Sequence, residues 1–377
     1  MKDVYITRVS KFLPNKPVTN DEMESKLGII NGNVSRARKI VLRQNKIKTR
    51  YYAINDAGEI THNNAELTKE AVSLLCDDKF GADKIELLSC GTTSPDQLIP
   101  SHAAMVHGFL KNGNMEINSP SGACCSGMNA LKYAYLSVKA NQTNNAVCTG
   151  SERSSSRLKS TIYKDEIEEL KKLNERPILA FEKEFLRWML SDGAGAFLLE
   201  NKPNGDFPLK IEWMEGFSYA HLNEACMYSG GVKLDNGHLK PWSEFSSDDW
   251  GKNSLFAVKQ DVKLLGENIL VYGVDSLKKA LQKNNILPEE ISYYLPHISS
   301  YYFKDTLYDE MKAQGVEIPK EKWFLNLDKV GNVGAASIYI MLEELVASKK
   351  LKKGEKILLS VPESARFSYA YALLTVC

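Results

Sequence analysis

The sequence predicts an α/β protein, a layered sandwich of sheets and helices in two halves of similar length. Three observations predict it. Strand-like apolar runs alternate with stretches of helical spacing from end to end. The 377 residues exceed one ordinary domain of about 150 residues. A Gly, Pro and Asn-rich junction near 202–207 divides residues 1–205 from residues 206–377, with like patterns on both sides.

The elements follow in order. Residues 4–9 mix β-branched and aromatic side chains and read as a strand. Residues 63–75 have helical apolar spacing behind the polar Asn63 and Asn64. Residues 85–89 are a strand, closed by a Gly-Thr-Thr-Ser-Pro turn. Residues 101–110 and 128–138 read as helices, and 145–149 and 195–199 as short buried strands. The second half repeats the theme with strand 211–216, a long helix 259–282, strand 291–296 and helix 301–314. Helix 335–347 and strand 356–361 follow, and 360–374 reads as a loop.

Composition excludes several classes. Lys plus Arg is 48 and Asp plus Glu 47, a net charge of +1, against the basic field of a nucleic-acid binder. Hydrophobic residues at 43% and charged residues at 25% exclude disorder. No apolar run reaches the roughly 18 residues of a membrane span, and the N-terminus lacks a signal-peptide core. The expectation is a soluble, cytoplasmic protein. Seven scattered cysteines without a CxxC pair suggest neither a disulfide framework nor a metal site.

Chemistry concentrates in three segments. In SPSGACCSGMNALKYAYLSV, residues 119–138, small residues lead to Cys125 and a helix follows. A cysteine there meets the positive end of the helix dipole, which lowers a thiol's pKa and suits a nucleophile elbow. The same turn also suits two buried cysteines. His297 directly follows strand 291–296, where α/β sheets place their sites, or serves as a bonded core histidine. Asn332 stands between Gly331 and Gly334 before a helix, as a site residue or as part of a turn and cap.

These residues, in context, resemble the Cys-His-Asn triad of the β-ketoacyl-ACP synthase III family. Ala-Cys-Cys-Ser-Gly-Met, 123–128, matches its A-C-(S/A)-G-(F/M) turn with Cys125 as nucleophile. Leu295-Pro296-His297 matches L-x-P-H, and residues 331–337 match G-N-(T/V)-x-A-A-S. Residues 12–24, 45–53, 92–103 and 191–200 resemble further family segments, so the likeness runs over nearly the whole chain. It implies the thiolase fold: two similar βαβαβαββ halves in an α-β-α-β-α sandwich, as an obligate homodimer. It implies an acyl group carried on Cys125, and His297 and Asn332 donating to the oxygen of a second thioester. The backbone N–H groups of Cys125 and Ala365 would form a second oxyanion hole. No metal or other cofactor is implied.

The chain departs from that family in four places. Residues 360–374 hold no glycine where the family has several, and bring Glu363 and Arg366 near the acyl site. Ile298-Ser299-Ser300 replaces Gln-Ala-Asn. Residues 29–50 lack the tryptophan that stacks CoA adenine and instead carry Arg36, Arg38, Lys39, Arg43, Lys46, Lys48 and Arg50 without an acid. That stretch suits an acidic acyl carrier protein, so acyl-ACP is preferred to acyl-CoA, or is a solvated face. Glu152 follows a buried strand, and a carboxylate there could act as base or activate water if it faced the pocket. Residues 164–174 read as a charged helix, a solvated face or lid. Leu98, Ile99 and Arg366 are candidates for the substrate pocket, the first two across the dimer.

The departures look like the dialkylresorcinol-forming ketosynthases of flexirubin and aryl-polyene-type pathways. That resemblance implies joining a β-ketoacyl to an α,β-unsaturated acyl thioester and closing a 1,3-cyclohexanedione. The alternatives are a malonyl-ACP-using synthase that makes a linear β-ketoacyl-ACP, and a non-catalytic partner subunit of a ketosynthase heterodimer.

Overall fold

The structure, a computed structural model, describes residues 2–30, 38–161, 186–205, 207–253 and 255–377. The first half runs β1 (Tyr5–Phe12), α1 (Asn64–Ser73), β2 (Leu87–Thr92), α2 (His102–Leu110) and β3 (Glu116–Asn118). It continues with α3 (Cys125–Lys139), β4 (Asn145–Glu152) and β5 (Gly193–Glu200). The second half runs β6 (Leu209–Ser218), α4 (Val262–Lys283), β7 (Tyr293–Pro296) and α5 (Tyr302–Ala313). It ends with α6 (Ser337–Ala347), β8 (Lys356–Glu363) and β9 (Ser368–Val376).

The two halves repeat one pairing scheme. In the first, β1–β5 and β5–β4 are antiparallel while β4–β2 and β2–β3 are parallel. In the second, β6–β9 and β9–β8 are antiparallel and β8–β7 is parallel. The counterpart of β3 shrinks to a single parallel bridge between Tyr294 and Trp323. The halves join by two residue pairs, Tyr5 with Lys210 and Ile6 with Leu209, so nine strands run in one hydrogen-bonded sheet.

Helices α3 and α6 touch the strands of both halves and form the middle layer. Their sequences suit that place. Helix α6 buries nearly every residue from Ser337 to Leu342, and its Tyr339 ring stacks on Phe197 of β5 at 4.2 Å. Helices α1 and α2 cover the outer face of the first half, and α4 and α5 that of the second. Helix α1 starts where expected because Asn63 and Glu66 form a reciprocal capping box. Helix α4 starts at Val262, capped by Asp261, because Lys259 and Gln260 pair with Tyr228 and Met227 as a short strand.

The largest correction is at the C-terminus. Residues 360–374 are not a loop. They lie mostly in an antiparallel hairpin of β8 and β9, turned by residues 364–367. The expected helix over 164–174 falls outside the described residues.

Candidate active site

Both middle helices start at one place. Gly127 of α3 and Gly150 of β4 carry no side chain because the Ala335 carbonyl occupies that space. A Cβ on either would stand 2.3 or 2.2 Å from its oxygen. This contact sets the Cys125 turn against the Asn332 turn, equivalent positions in the two halves.

Asn332 is locked on three sides. Its N–H donates to Met189, its carbonyl accepts from Ser191, and its Oδ1 accepts the Gly334 N–H, all at 2.9 Å. The amide nitrogen is the end left to donate. Gly334 itself has φ +50°, and Glu152 oxygen would lie 2.8 Å from any Cβ there, which explains the glycine. His297 follows β7, with its N–H on the Ser360 carbonyl at 2.8 Å. Burial pulls its imidazole down to about 4, so the ring is neutral near pH 7 and keeps one N–H donor.

His297 and Asn332 line one cavity with Cys124, Glu152 and Arg157. The other walls are mostly aliphatic and aromatic, and the empty space is about 1280 Å³ with the open mouth counted. Cys125 is 4% exposed and lies just behind this wall, with Sγ donating to the Val361 carbonyl at 3.3 Å. Cys124, its neighbour, reaches the wall.

The expected low thiol pKa is overturned. Burial pushes the Cys125 thiol well up, and the Glu363 carboxylate and Cys124 add to it, outweighing one helix dipole. Glu363 points inward: its Oε2 accepts the N–H groups of Ala123 and Cys125, both at 2.9 Å. The expected oxyanion hole of Cys125 and Ala365 is therefore not assembled. The Cys125 N–H is taken, and Ala365 lies off the wall with its carbonyl on Cys226 and Met227.

Other expected site residues separate. Glu152 is on the wall, yet Oε1 accepts from Thr93 N–H, Thr93 Oγ1 and Ala335 N–H, and Oε2 from Ser94 Oγ. It ties three segments together. Arg366 is exposed, bonds the Asn223 carbonyl and does not line the cavity, because the hairpin turn directs it outward. Leu98 and Ile99 are 76% and 87% exposed and do not line this cavity, because their loop runs over the surface.

Of the basic stretch, Lys39, Arg43, Lys46 and Lys48 are exposed. Arg38 is held by Glu24 and Asp21 at 2.7 and 3.2 Å, and Arg50 is buried against Asn20 and Trp188. Arg36 lies outside the described residues. The helix Arg38–Asn45 sits beside the site, since the Asn45 carbonyl accepts from Tyr301, four residues after His297.

Arg157 is the cavity residue that sequence reasoning missed. It lines the wall, burial pulls its guanidinium down against the attraction of Glu152, and the guanidinium has no hydrogen-bond or ion-pair partner among the described residues. Its position in a run of serines and basic residues gave no signal.

Known proteins resemble this chain in sequence and in fold. Residues 281–374 match the model of the 3-oxoacyl-[acyl-carrier-protein] synthase III C-terminal family. β-Ketoacyl-[acyl-carrier-protein] synthase III of Clostridium novyi is 26% identical over 95% of both chains. The tetronic acid condensing enzyme AbyA1 superposes with a TM-score of 0.73 at 18% identity over 99% of both chains. A histidine-to-alanine variant of Xanthomonas campestris OleA gives 0.73 at 18%, over 99% of this chain and 98% of that one. The synthase III of Aquifex aeolicus gives 0.70 at 20%, over 99% of both.

Proposed function

We propose that the chain, a condensing acyltransferase similar to β-ketoacyl-ACP synthase III and sharing its thiolase fold, joins two acyl thioesters through an acyl group on Cys125. One partner is a β-ketoacyl thioester and the other an α,β-unsaturated acyl thioester. The product is a 1,3-cyclohexanedione, the precursor of a dialkylresorcinol.

The acyl group passes from its carrier thiol to Cys125 sulfur. The α-carbon of the β-ketoacyl partner loses a proton and adds to the β-carbon of the unsaturated one, whose α-carbon takes up a proton in exchange. The γ-carbon of the β-ketoacyl unit then closes onto the thioester carbon of the other partner and expels one thiol, the second thioester remaining on the ring. His297 and Asn332 donate to the thioester oxygen as it takes on charge. Glu152 holds their turn in place, its oxygens already engaged.

Arg157 carries this reading over the malonyl alternative. A guanidinium without a hydrogen-bond or ion-pair partner among the described residues, on a mostly apolar wall shared with Glu152, suits a donor with a second oxygen. A β-ketoacyl enolate spreads its charge over two oxygens, one for His297 and Asn332 and one for Arg157. A malonyl carboxylate ion-paired there would be stabilised against losing CO₂. The intact Cys125, His297 and Asn332 weigh against a silent subunit.

The carrier docks through Lys39, Arg43 and Lys46 beside the site, which suits acidic acyl carrier protein. A second copy of the chain completes the enzyme.

The test mixes the protein separately with medium-chain acyl-ACP, β-ketoacyl-ACP and malonyl-ACP, reads adducts by intact-protein mass spectrometry, and analyses products of the pairs. An adduct mapping to Cys125 and absent from Cys125→Ala is expected, with a cyclic dione only from β-ketoacyl plus unsaturated donors. A linear β-ketoacyl-ACP from malonyl-ACP would return the chain to ordinary chain-building synthases. An adduct on Cys124 would move the nucleophile by one residue.

A further inference from the structure

Two buried carboxylates stand at this site, and their bonding differs. Glu152 is saturated, with four donors over its two oxygens. Glu363 uses one oxygen only. Its Oε2 accepts from Ala123 and Cys125, and its Oε1 has no bond among the described residues. No cation pairs with Glu363 there, and Arg366 is turned away to Asn223. The titratable groups in its field are the thiols of Cys124 and Cys125 at the start of α3.

The acylation step has two difficulties. A thiol buried beside a carboxylate is scarcely ionised at neutral pH, and the thiolate is the nucleophile. The Cys125 N–H, which should face the thioester oxygen, is held by Glu363. Both difficulties have one solution.

We propose that Glu363 is the base that takes the Cys125 proton as the acyl group is loaded, which rests on the acyl-cysteine reading above. The Cys125 S–H, which donates to the Val361 carbonyl at 3.3 Å in the resting structure, turns to Glu363; the S–H bond breaks and its proton goes to the Glu363 carboxylate. The sulfur pair attacks the thioester carbon, the bond from that carbon to the carrier sulfur breaks, and Glu363 returns the proton to the carrier thiolate. Atoms and charge balance without a co-reactant. One negative charge moves between sulfur and carboxylate, so two anions never stand side by side. A neutral carboxylic acid is also a weaker acceptor than a carboxylate. The Ala123 and Cys125 N–H groups are thereby released toward the thioester oxygen at the moment charge develops on it. Burial raises the Glu363 carboxyl, toward the pH at which a base works best.

The test is Glu363→Gln, whose amide oxygen still accepts both N–H groups but whose side chain takes no proton. Octanoyl-ACP is the acyl donor, and adduct formation is followed by rapid-quench mass spectrometry between about pH 5 and 9. The wild-type rate should fall on the acid side as Glu363 protonates. The variant should acylate about 10²-fold more slowly and lose that acid limb. If Glu363→Gln does not fold, Glu363→Asp carries the test: slower loading with the acid limb kept supports the base, and a wild-type rate overturns it. A wild-type rate and profile in Glu363→Gln would overturn this inference alone. No adduct on the wild-type protein would overturn it together with the acyl-cysteine reading.

Discussion

His297 is buried at the cavity wall, and burial moves its pKa to about 4. A neutral imidazole donates without repelling the positive Arg157 on the same wall. Exchanging it for alanine should leave loading of Cys125 intact and slow condensation about 10²-fold or more, read by single-turnover product formation. Stability carries a second signature. The folded pKa lies below the usual 6.5, so as pH falls the unfolded chain takes the proton first. Stability should hold above about pH 6.5 and fall between there and about 4, by up to about 1.4 kcal/mol per pH unit for each such histidine. His102, also buried and near 4, adds the same slope, while Asp192, raised by burial to about 6, offsets part of it. Urea unfolding at pH 7 and 5 should therefore show a smaller gap in His297→Ala than in the wild type, and an equal gap would refute it. At this scale the places of Cys125 and Asn332 were legible because small residues and glycines mark sharp turns at element ends, and that of His297 because it directly follows a strand. Glu363 was legible only as a charge nearby. Its inward aim depends on a hairpin partner far along the chain.

The elements show the same division between local and distant causes. Most of the expected strands and helices are present within a few residues, since their periodicity is local. Strand β9 escaped because it is buried on nearly every residue and small alanines alternate with large tyrosines, which blurs the polar–apolar pattern. The β1–β6 join, two pairs across 200 residues of chain, leaves no local trace. The seam between α3 and α6 is the element-scale feature with the sharpest consequence. Gly150→Ala places a methyl 2.2 Å from the Ala335 oxygen, and the turn carrying Asn332 must move. Overpacking of this kind should cost about 1–3 kcal/mol in a urea melt. The loss should fall on condensation rather than on Cys125 loading, because Asn332 belongs to the displaced turn. Equal losses in both steps would show that the seam supports the fold without aligning the site.

On the scale of the whole molecule, the sheet ends differ. The β7 edge is bridged by Trp323. The β3 edge has no further strand among the described residues, and Ile117 on it is 39% exposed. Leu98 and Ile99 are exposed as well, alongside Leu136 of α3. An open edge carrying apolar residues invites pairing with another chain unless something covers it. We propose that a homodimer, as the family resemblance implies, covers this edge, with two β3 edges meeting about a two-fold axis. Such a dimer would also give Leu98 and Ile99 a place, since a surface loop outside the cavity of its own chain can close its partner's. Ile117→Glu should then sediment as a monomer where the wild type sediments as a dimer. Leu98→Ala with Ile99→Ala should remain dimeric but shift the preferred acyl length, measured as relative Cys125 loading across a series of acyl-ACPs. A wild-type protein that sediments as a monomer would sink the dimer. A dimeric Ile117→Glu would move the interface off the β3 edge, and an unchanged length preference in the double variant would leave Leu98 and Ile99 outside the acyl site.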